Sequence, residues 1–416
     1  MFLKRKIVSS IERWINKKEI IILIWPRQVG KTTLMKYFFD KINWQKFWFS
    51  LDKTKDCDIF SNYEKLLDYI KLQWFDLDKK FTLFVDEFQY CKNSEIIFKN
   101  LYDSFDNVKI FASGSSSLNI KNLIQESLAW RKKIFKIYPL NLEEFIAWRT
   151  WKDFDVKIFK EIKYLKDIWE NYLKFLYEFM VWGWYPKVVL EKNLAQEHLE
   201  NIFDLYLKKD ILDFLNIRHL DSFKKLITYL AINNWQQINY SQLANFADID
   251  IGTVKNYIEI LQETFLIKKV IPFYTNKNKE ISKAPKIYFV DNWVRNYFIK
   301  NFLEDVELRQ DNWVLLEAIV LQEFLKYNKE DIKYWRTKTK QEIDFVIDNV
   351  VNVDVVEVKF KEKISSSDYY WITKFKESYK NLLKNVYLMS KYWEKNCLEW
   401  IKCENLFSFI SNYLNS

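Results

Sequence analysis

The chain has 416 residues, 49% of them hydrophobic, with 65 basic against 56 acidic side chains and a net charge of +9. This content excludes a disordered chain and provides for two to four folded domains. Only 9 of the basic residues are Arg, so a lysine-rich composition accounts for the positive charge without requiring a nucleic-acid surface.

No apolar run approaches the roughly 18–20 residues that span a bilayer, and the first residues lack a signal-peptide core. The four Cys show no C-x-x-C spacing and there are only two His, which argues against zinc. The expectation is a cytoplasmic protein with reduced thiols and no membrane partner. One number is out of line. The chain has 4 Gly beside 18 Trp, where an average of roughly 7% predicts about 29 Gly.

In chain order, Ile20–Ile24 is a short run of apolar β-formers that stops at a loop ending in Gly30-Lys31-Thr32-Thr33. A buried parallel strand feeding a phosphate loop and a helix has this form. In the pattern G-x-x-x-x-G-K-[ST], backbone N–H groups cradle phosphate oxygens, Lys reaches the β/γ-phosphates and the hydroxyl ligates Mg²⁺. The nucleotide-binding candidates are therefore Trp25, Pro26, Arg27, Gln28, Val29, Gly30, Lys31, Thr32 and Thr33. A helix is predicted from Lys31 to Phe39, its positive end toward the phosphates. The first glycine of the pattern is Trp25, whose indole would crowd the turn.

Lys46–Leu51 reads as a second strand, Asp52–Asp58 as a polar stretch and Asn62–Leu72 as a helix. Phe81–Val85 runs into Asp86-Glu87, Val108–Ala112 runs into Ser113-Gly114-Ser115, and Ile134–Ile137 is a further short strand. Strands alternating with helices predict a doubly wound parallel sheet with ligands at the strands' carboxyl ends. Asp86 is the candidate Mg²⁺ partner and Glu87 the group that orients or deprotonates the attacking water. Ser113 or Ser115 would sit between those strands as a γ-phosphate sensor. Arg131 is a candidate for reaching nucleotide in cis or from a neighbouring subunit.

Residues 152–220 read as mostly helical, broken at Gly183-Trp184-Tyr185-Pro186, with Leu205–Leu215 as an exposed helix. Helices at Ser222–Ile232, Tyr240–Ala247 and Ile251–Thr264, turning at Asp248–Asp250, form a helix-turn-helix unit. Ile267–Phe273 and Pro285–Val290 follow as the strands of a wing. Such a unit serves equally as a DNA reader or a protein-packing module. Farther on, Glu317 lies on a predicted helix, Leu315–Leu325, and Asp344 on Glu342–Phe345. Glu357 and Lys359 share one face of a strand, Val350–Phe360. Glu317, Asp344 and Glu357 are candidate Mg²⁺ ligands, and Lys359 would align or activate water.

Several Trp occupy turn positions: Trp130, Trp184, Trp235, Trp293 and Trp313. Asn or Asp followed by Gly is a turn signal, and Asn or Asp followed by Trp is not. These Trp, with Trp25, read as UGA codons of an organism that uses UGA for glycine. Trp335 reads as genuine tryptophan.

Pro26–Thr33, Val85-Asp86-Glu87-Phe88-Gln89, Ser113-Gly114-Ser115, Ala129-Trp130-Arg131, Gly183–Pro186, Lys286–Asp291, Tyr334-Trp335-Arg336, Glu342–Phe345 and Glu357-Val358-Lys359 together resemble one prokaryotic family. Its members are AAA-type ATP-binding proteins with a carboxyl-terminal domain of unknown function. The resemblance implies an α/β P-loop sheet over residues 1–150, a helical domain over 151–221 and a winged helix over 222–300. Over 301–416 it implies a restriction-endonuclease-like α/β domain of the PD-(D/E)XK type. It also implies ATP and Mg²⁺ as cofactors, and places Gly at the six turn-position Trp. The expected activity is Mg²⁺-dependent ATP hydrolysis by Lys31, Thr32, Asp86 and Glu87, coupled to a DNA-related or regulatory task. Two rivals stay open: an ATP-regulated DNA nuclease using Asp344, Glu357 and Lys359, and a non-catalytic nucleotide-dependent switch. Candidate partners beyond ATP are DNA, a protein or a second copy of the chain.

Overall fold

The computed structural model describes residues 5–24, 28–74, 76–114, 128–152, 154–160, 166–205, 220–276, 278, 280, 283–391 and 397–415. The chain divides into two compact units. The first comprises Met1–Leu140, Tyr185–Ile217 and Glu263–Phe265. The second comprises Asn141–Trp184, Arg218–Gln262 and Leu266–Ser416.

In the first unit, five strands form one parallel sheet: β1 (Ile20–Ile24), β2 (Gln45–Ser50), β3 (Phe81–Asp86), β4 (Val108–Gly114) and β5 (Lys132–Lys136). Their spatial order is β2-β3-β4-β1-β5, with Ile24 beside Gly114 and Ser50 beside Asp86. The central strands β1, β3 and β4 are buried along their whole length, as expected of parallel strands covered on both faces.

The two-residue period sorts them. Ile20, Ile22, Ile24, Leu83, Val85 and Ile110 pack with Phe60, Leu66, Ile70, Phe98 and Leu101 on one face. The helices covering that face are Thr54–Phe60, Tyr63–Leu72 and Ser94–Ser104. On the opposite face Phe84 stacks on Phe111 with ring centroids 4.8 Å apart, and Phe111 on Phe38 of the helix Lys31–Lys41 at 5.6 Å. Each buried Phe of this kind contributes about 1.5–3 kcal/mol. Asp86 follows Phe84 by two positions and Ser113 follows Phe111 by two, so both side chains share the face of that helix. The stretch after Asp52, read as merely polar, holds the helix Thr54–Phe60, which buries Ile59 and Phe60.

In the second unit, the helices Leu220–Ile232, Tyr240–Ala247 and Ile251–Glu263 precede β6 (Ile267–Pro272) and β7 (Lys286–Phe289), which pair antiparallel. Asn239 caps the second of these helices through Gln242 N–H. Asp248, in the left-handed region at φ 56°, ends it. Then come β8 (Ile332–Arg336), β9 (Glu342–Asp348), β10 (Val353–Val358), β11 (Leu383–Met389) and β12 (Lys402–Glu404).

All seven strands form one sheet in the order β12-β11-β10-β9-β8-β6-β7. Because β6 pairs with β8 at Ile271–Lys333 and Pro272–Tyr334, the strand pair expected as a wing also joins the carboxyl-terminal sheet. β10 is shorter than expected. Val350 and Val351 are exposed in the hairpin turn between β9 and β10.

The reading of all four thiols as reduced is corrected. Cys397 and Cys403, six positions apart with Cα atoms at 6.3 Å, form a disulfide, a separation within bridging reach. Cys57 and Cys91 are not bridged. Among the described residues no helix is long and apolar enough to cross a membrane. The expected helix Leu205–Leu215 lies almost wholly outside the described residues.

Candidate functional site

The carboxyl ends of β1, β3 and β4 bring the amino-terminal candidates together. Gly30 adopts φ 93°, ψ 23° and caps the helix Lys31–Lys41, a left-handed conformation that glycine takes at least cost. Gln28 is left-handed as well, at φ 63°. Thr32, in the first turn, donates its hydroxyl to Asp86 Oδ2 at 2.8 Å. Ser113 donates to Asp86 Oδ1, and its own oxygen accepts the Glu87 N–H at 3.4 Å. β4 lies between β1 and β3, so Ser113 sits between the strands that carry the loop and the acidic pair.

Asp86 is 4% exposed. Burial raises its pKa above the ordinary carboxylate value, while the hydroxyls of Ser113 and Thr32 and the nearby Lys31 oppose the rise. Oxygen donors of this kind suit a hard divalent cation, and Thr32 with Asp86 fits the Mg²⁺ expected beside a nucleotide. Lys31 is buried. Glu87 has a left-handed backbone, φ 54° and ψ 46°, as β3 passes into the turn Phe88–Tyr90. Its carboxylate accepts from Gln89 Nε2.

Arg131 is not brought to this site. Its carbonyl accepts the Ile20 N–H at 2.8 Å, which places it at the amino end of β1, the opposite edge of the sheet from Gly30. There it pairs through two nitrogens with Asp103, at 2.8 and 3.2 Å. A parallel sheet separates its two ends by the strand length, which removes Arg131 from contact with its own nucleotide. Trp25, Pro26, Arg27 and Ser115 lie outside the described residues.

Arg5 escaped the sequence reading. It is 6% exposed and donates to the carbonyls of Val29 at 3.2 Å, Tyr138 at 2.6 Å and Pro139 at 3.3 Å. The phosphate loop is thereby clamped to the segment after β5. No local pattern announces a contact spanning more than a hundred residues.

The carboxyl-terminal candidates also converge. Asp344 on β9 accepts the Val358 N–H at 2.8 Å, and its own N–H donates to Glu357 Oε2 at 3.3 Å. Lys359 pairs with Glu357 Oε1. Glu317, on the helix Asn312–Lys326, accepts the Tyr288 hydroxyl. Two residues of the Lys286–Asp291 stretch, given no role in the sequence, thus join from β7: Tyr288, and Lys286, which pairs with Glu342 and lies 4.0 Å from Glu317. Burial, then the Asp344 charge, pushes the pKa values of Glu317 and Glu357 upward.

Family models match three successive stretches. Residues 17–146 match an AAA domain, residues 173–305 a domain of unknown function (DUF8612), and residues 314–400 a second domain of unknown function (DUF4143). Strand order, phosphate loop and the Thr32–Asp86 pair define a P-loop domain of the AAA fold.

An uncharacterized protein of Methanocaldococcus jannaschii, MJ1637, is 28% identical over 69% of this chain, which spans 63% of that relative's length. An uncharacterized protein of Haemophilus influenzae is 23% identical over 78% of this chain and 76% of its own. Among solved structures, the Thermotoga maritima RuvB Holliday junction branch migration motor aligns with a TM-score of 0.32 and 15% identity. That alignment covers 67% of this chain and 95% of RuvB. The Aeropyrum pernix Orc1 protein in complex with DNA aligns with a TM-score of 0.29 and 8% identity, over 71% of this chain and 91% of Orc1.

Replacing Arg5 by Ala removes charged hydrogen bonds to three carbonyls and should lower stability by about 2 kcal/mol, while Arg131→Ala should leave nucleotide affinity unchanged. Denaturant titration and nucleotide binding on both variants check the pair of outcomes.

Proposed function

We propose that the protein binds Mg²⁺-ATP at the carboxyl edge of its five-stranded sheet and hydrolyses it, coupling hydrolysis to a DNA-related or regulatory task. The single observation that carries this is the Thr32–Asp86–Ser113 hydrogen-bonded set beside Gly30 and Lys31. When bound, Mg²⁺ would supply charge neutralisation at the β- and γ-phosphates. Thr32 and Asp86 would hold it, and Lys31 would add its positive charge at the phosphates. Glu87 orients or deprotonates the attacking water, and the Ser113 hydroxyl, between Asp86 and the Glu87 N–H, senses the γ-phosphate. Lys31→Ala should abolish phosphate release, and Glu87→Gln should retain nucleotide while losing turnover. Unchanged hydrolysis in Lys31→Ala refutes the assignment.

The native loop reads glycine at position 25, on the reading that UGA is translated as glycine. The described backbone supports recoding at other positions. Trp74, Trp130, Trp151 and Trp235 all adopt left-handed φ, from 54° to 72°, a region that bulky side chains rarely enter. Trp151 follows the last residue of the helix Leu142–Thr150 and donates its N–H to Ala147, the place where glycine ends helices. Trp130 is third in a turn closed by Arg131 N–H on the Leu128 carbonyl at 3.2 Å, where positive φ calls for glycine. Trp74 and Trp130 project almost fully into solvent.

Trp184, Trp293 and Trp313 have ordinary φ and carry no such backbone signal. Trp184 is instead fully buried, with its indole N–H unpartnered among the described residues. Mass spectrometry of native peptides should find glycine at 25, 74, 130, 151 and 235. Tryptophan at these sites would end the recoding reading and leave the phosphate loop obstructed.

A second reading, DNA cleavage at the carboxyl-terminal cluster, is favoured by the contacts among Asp344, Glu357 and Lys359. It expects cleavage in the presence of a divalent cation that disappears in Asp344→Ala. Failure to cut single-stranded, duplex and branched DNA counts against it.

A further inference from the structure

The resemblance to a PD-(D/E)XK domain implies a divalent cation held by Glu317, Asp344 and Glu357, and the residues as arranged do not fit one. Among the described residues no three Asp, Glu, His or Cys side chains gather in a way that could hold a metal ion. Four of the six oxygens that these three carboxylates offer already have a partner. Both Glu357 oxygens are taken, by Lys359 Nζ and by the Asp344 N–H. Asp344 Oδ2 accepts from Val358 N–H. Glu317 Oε1 accepts from the Tyr288 hydroxyl and faces Lys286 Nζ at 4.0 Å.

We infer that Lys286 is the resident cation of this cluster and keeps divalent metal out of it. The ammonium lies between Glu317 and Glu342, and its side chain is 1% exposed. The Tyr334 ring stands 5.2 Å from Nζ, so an aromatic face also favours the positive charge. Tyr334 is itself fixed, accepting from Gln237 at 2.6 Å and donating to the Ala284 carbonyl at 2.7 Å.

A buried charge persists only when paired, and here the pairing serves both sides. Four carboxylates, those of Glu317, Glu342, Asp344 and Glu357, face the ammoniums of Lys286 and Lys359 and the guanidinium of Arg336, which lies 3.3 Å from Glu342. A divalent ion entering this space would meet the buried Lys286 ammonium as a like charge, where screening is weaker than at the surface. The partly exposed members of the cluster are Glu342 and Lys359, whose side chains are 23% and 28% exposed. Lys286 comes from β7, whereas the other charged members come from later in the chain. The cation is thus supplied by the strand pair that follows the three helices.

The inference excludes the second reading, which needs a divalent cation at these residues, and its test reads metal binding directly and not DNA cleavage. Mn²⁺ binding is followed by loss of the free-ion electron paramagnetic resonance signal, on the full chain without nucleotide. The wild-type chain should bind no Mn²⁺ at this site. Lys286→Met should create a site and tighten Mn²⁺ binding about tenfold or more, and Lys286→Met with Asp344→Ala should lose it again.

Thermal melting checks that each variant is folded. Should Lys286→Met not fold, Lys286→Gln keeps a donor for Glu342 while removing the charge. Stoichiometric Mn²⁺ binding by the wild-type chain that disappears in Asp344→Ala overturns the inference. So does a folded Lys286 variant that gains no Mn²⁺.

Discussion

The amino-terminal unit depends on one carboxylate. Asp86 ends β3, yet its two oxygens are claimed by Thr32, which opens the helix after the phosphate loop, and by Ser113, which ends β4. A buried carboxylate is costly unless its lone pairs are satisfied, and hydroxyls satisfy them without neutralising the charge. The charge is therefore available to a cation. Everything that positions Asp86 follows from the strand period and from the Phe38–Phe111–Phe84 stack that seats the helix on that face of the sheet.

The carboxyl-terminal unit solves the same problem in the opposite way. Its acidic groups are satisfied by ammoniums, a phenol and backbone N–H groups from β7, β9 and β10. Salt bridges of this depth are weak contributors to stability, because the desolvation of both charges offsets their attraction. Their effect is to fix which strands meet. The Glu317 helix, β7, β9 and β10 each supply a member, and moving any one of them leaves a charge alone in an apolar interior.

Much of this was legible in the sequence where local physics decides. Ile20–Ile24 is the strand expected from five consecutive apolar residues. Tyr240–Ala247 has the predicted bounds, set by Asn239 at one end and Asp248 at the other. Asp86 and Ser113 could be placed near the loop because strand ends in a parallel sheet share one edge. What stayed hidden depends on contacts distant in sequence. Arg5 meets carbonyls on two remote segments, and Lys286 and Tyr288, though part of a stretch the family shares, show no role until β7 joins the later sheet. That Arg131 lies away from its own phosphate loop was not legible either, because a basic residue between strands carries no mark of which edge it occupies. The helix Thr54–Phe60 was missed because Thr54, Lys55, Asp56 and Asp58 are polar, which leaves its buried anchor to Ile59 and Phe60 at one end.

The antiparallel pairing of β6 with β7 gives the cluster an all-or-none character. Lys286 and Tyr288 are two positions apart on one strand, so their side chains leave the same face. A slip of β7 by a single residue would turn that face outward, withdrawing the ammonium from Glu342 and the phenol from Glu317 in one movement. The register that ties β7 to the turn between the first two of the preceding helices, through the Trp235 N–H on the Ile287 carbonyl and the Phe289 N–H on Asn234, is therefore also the register that decides whether two glutamates have partners.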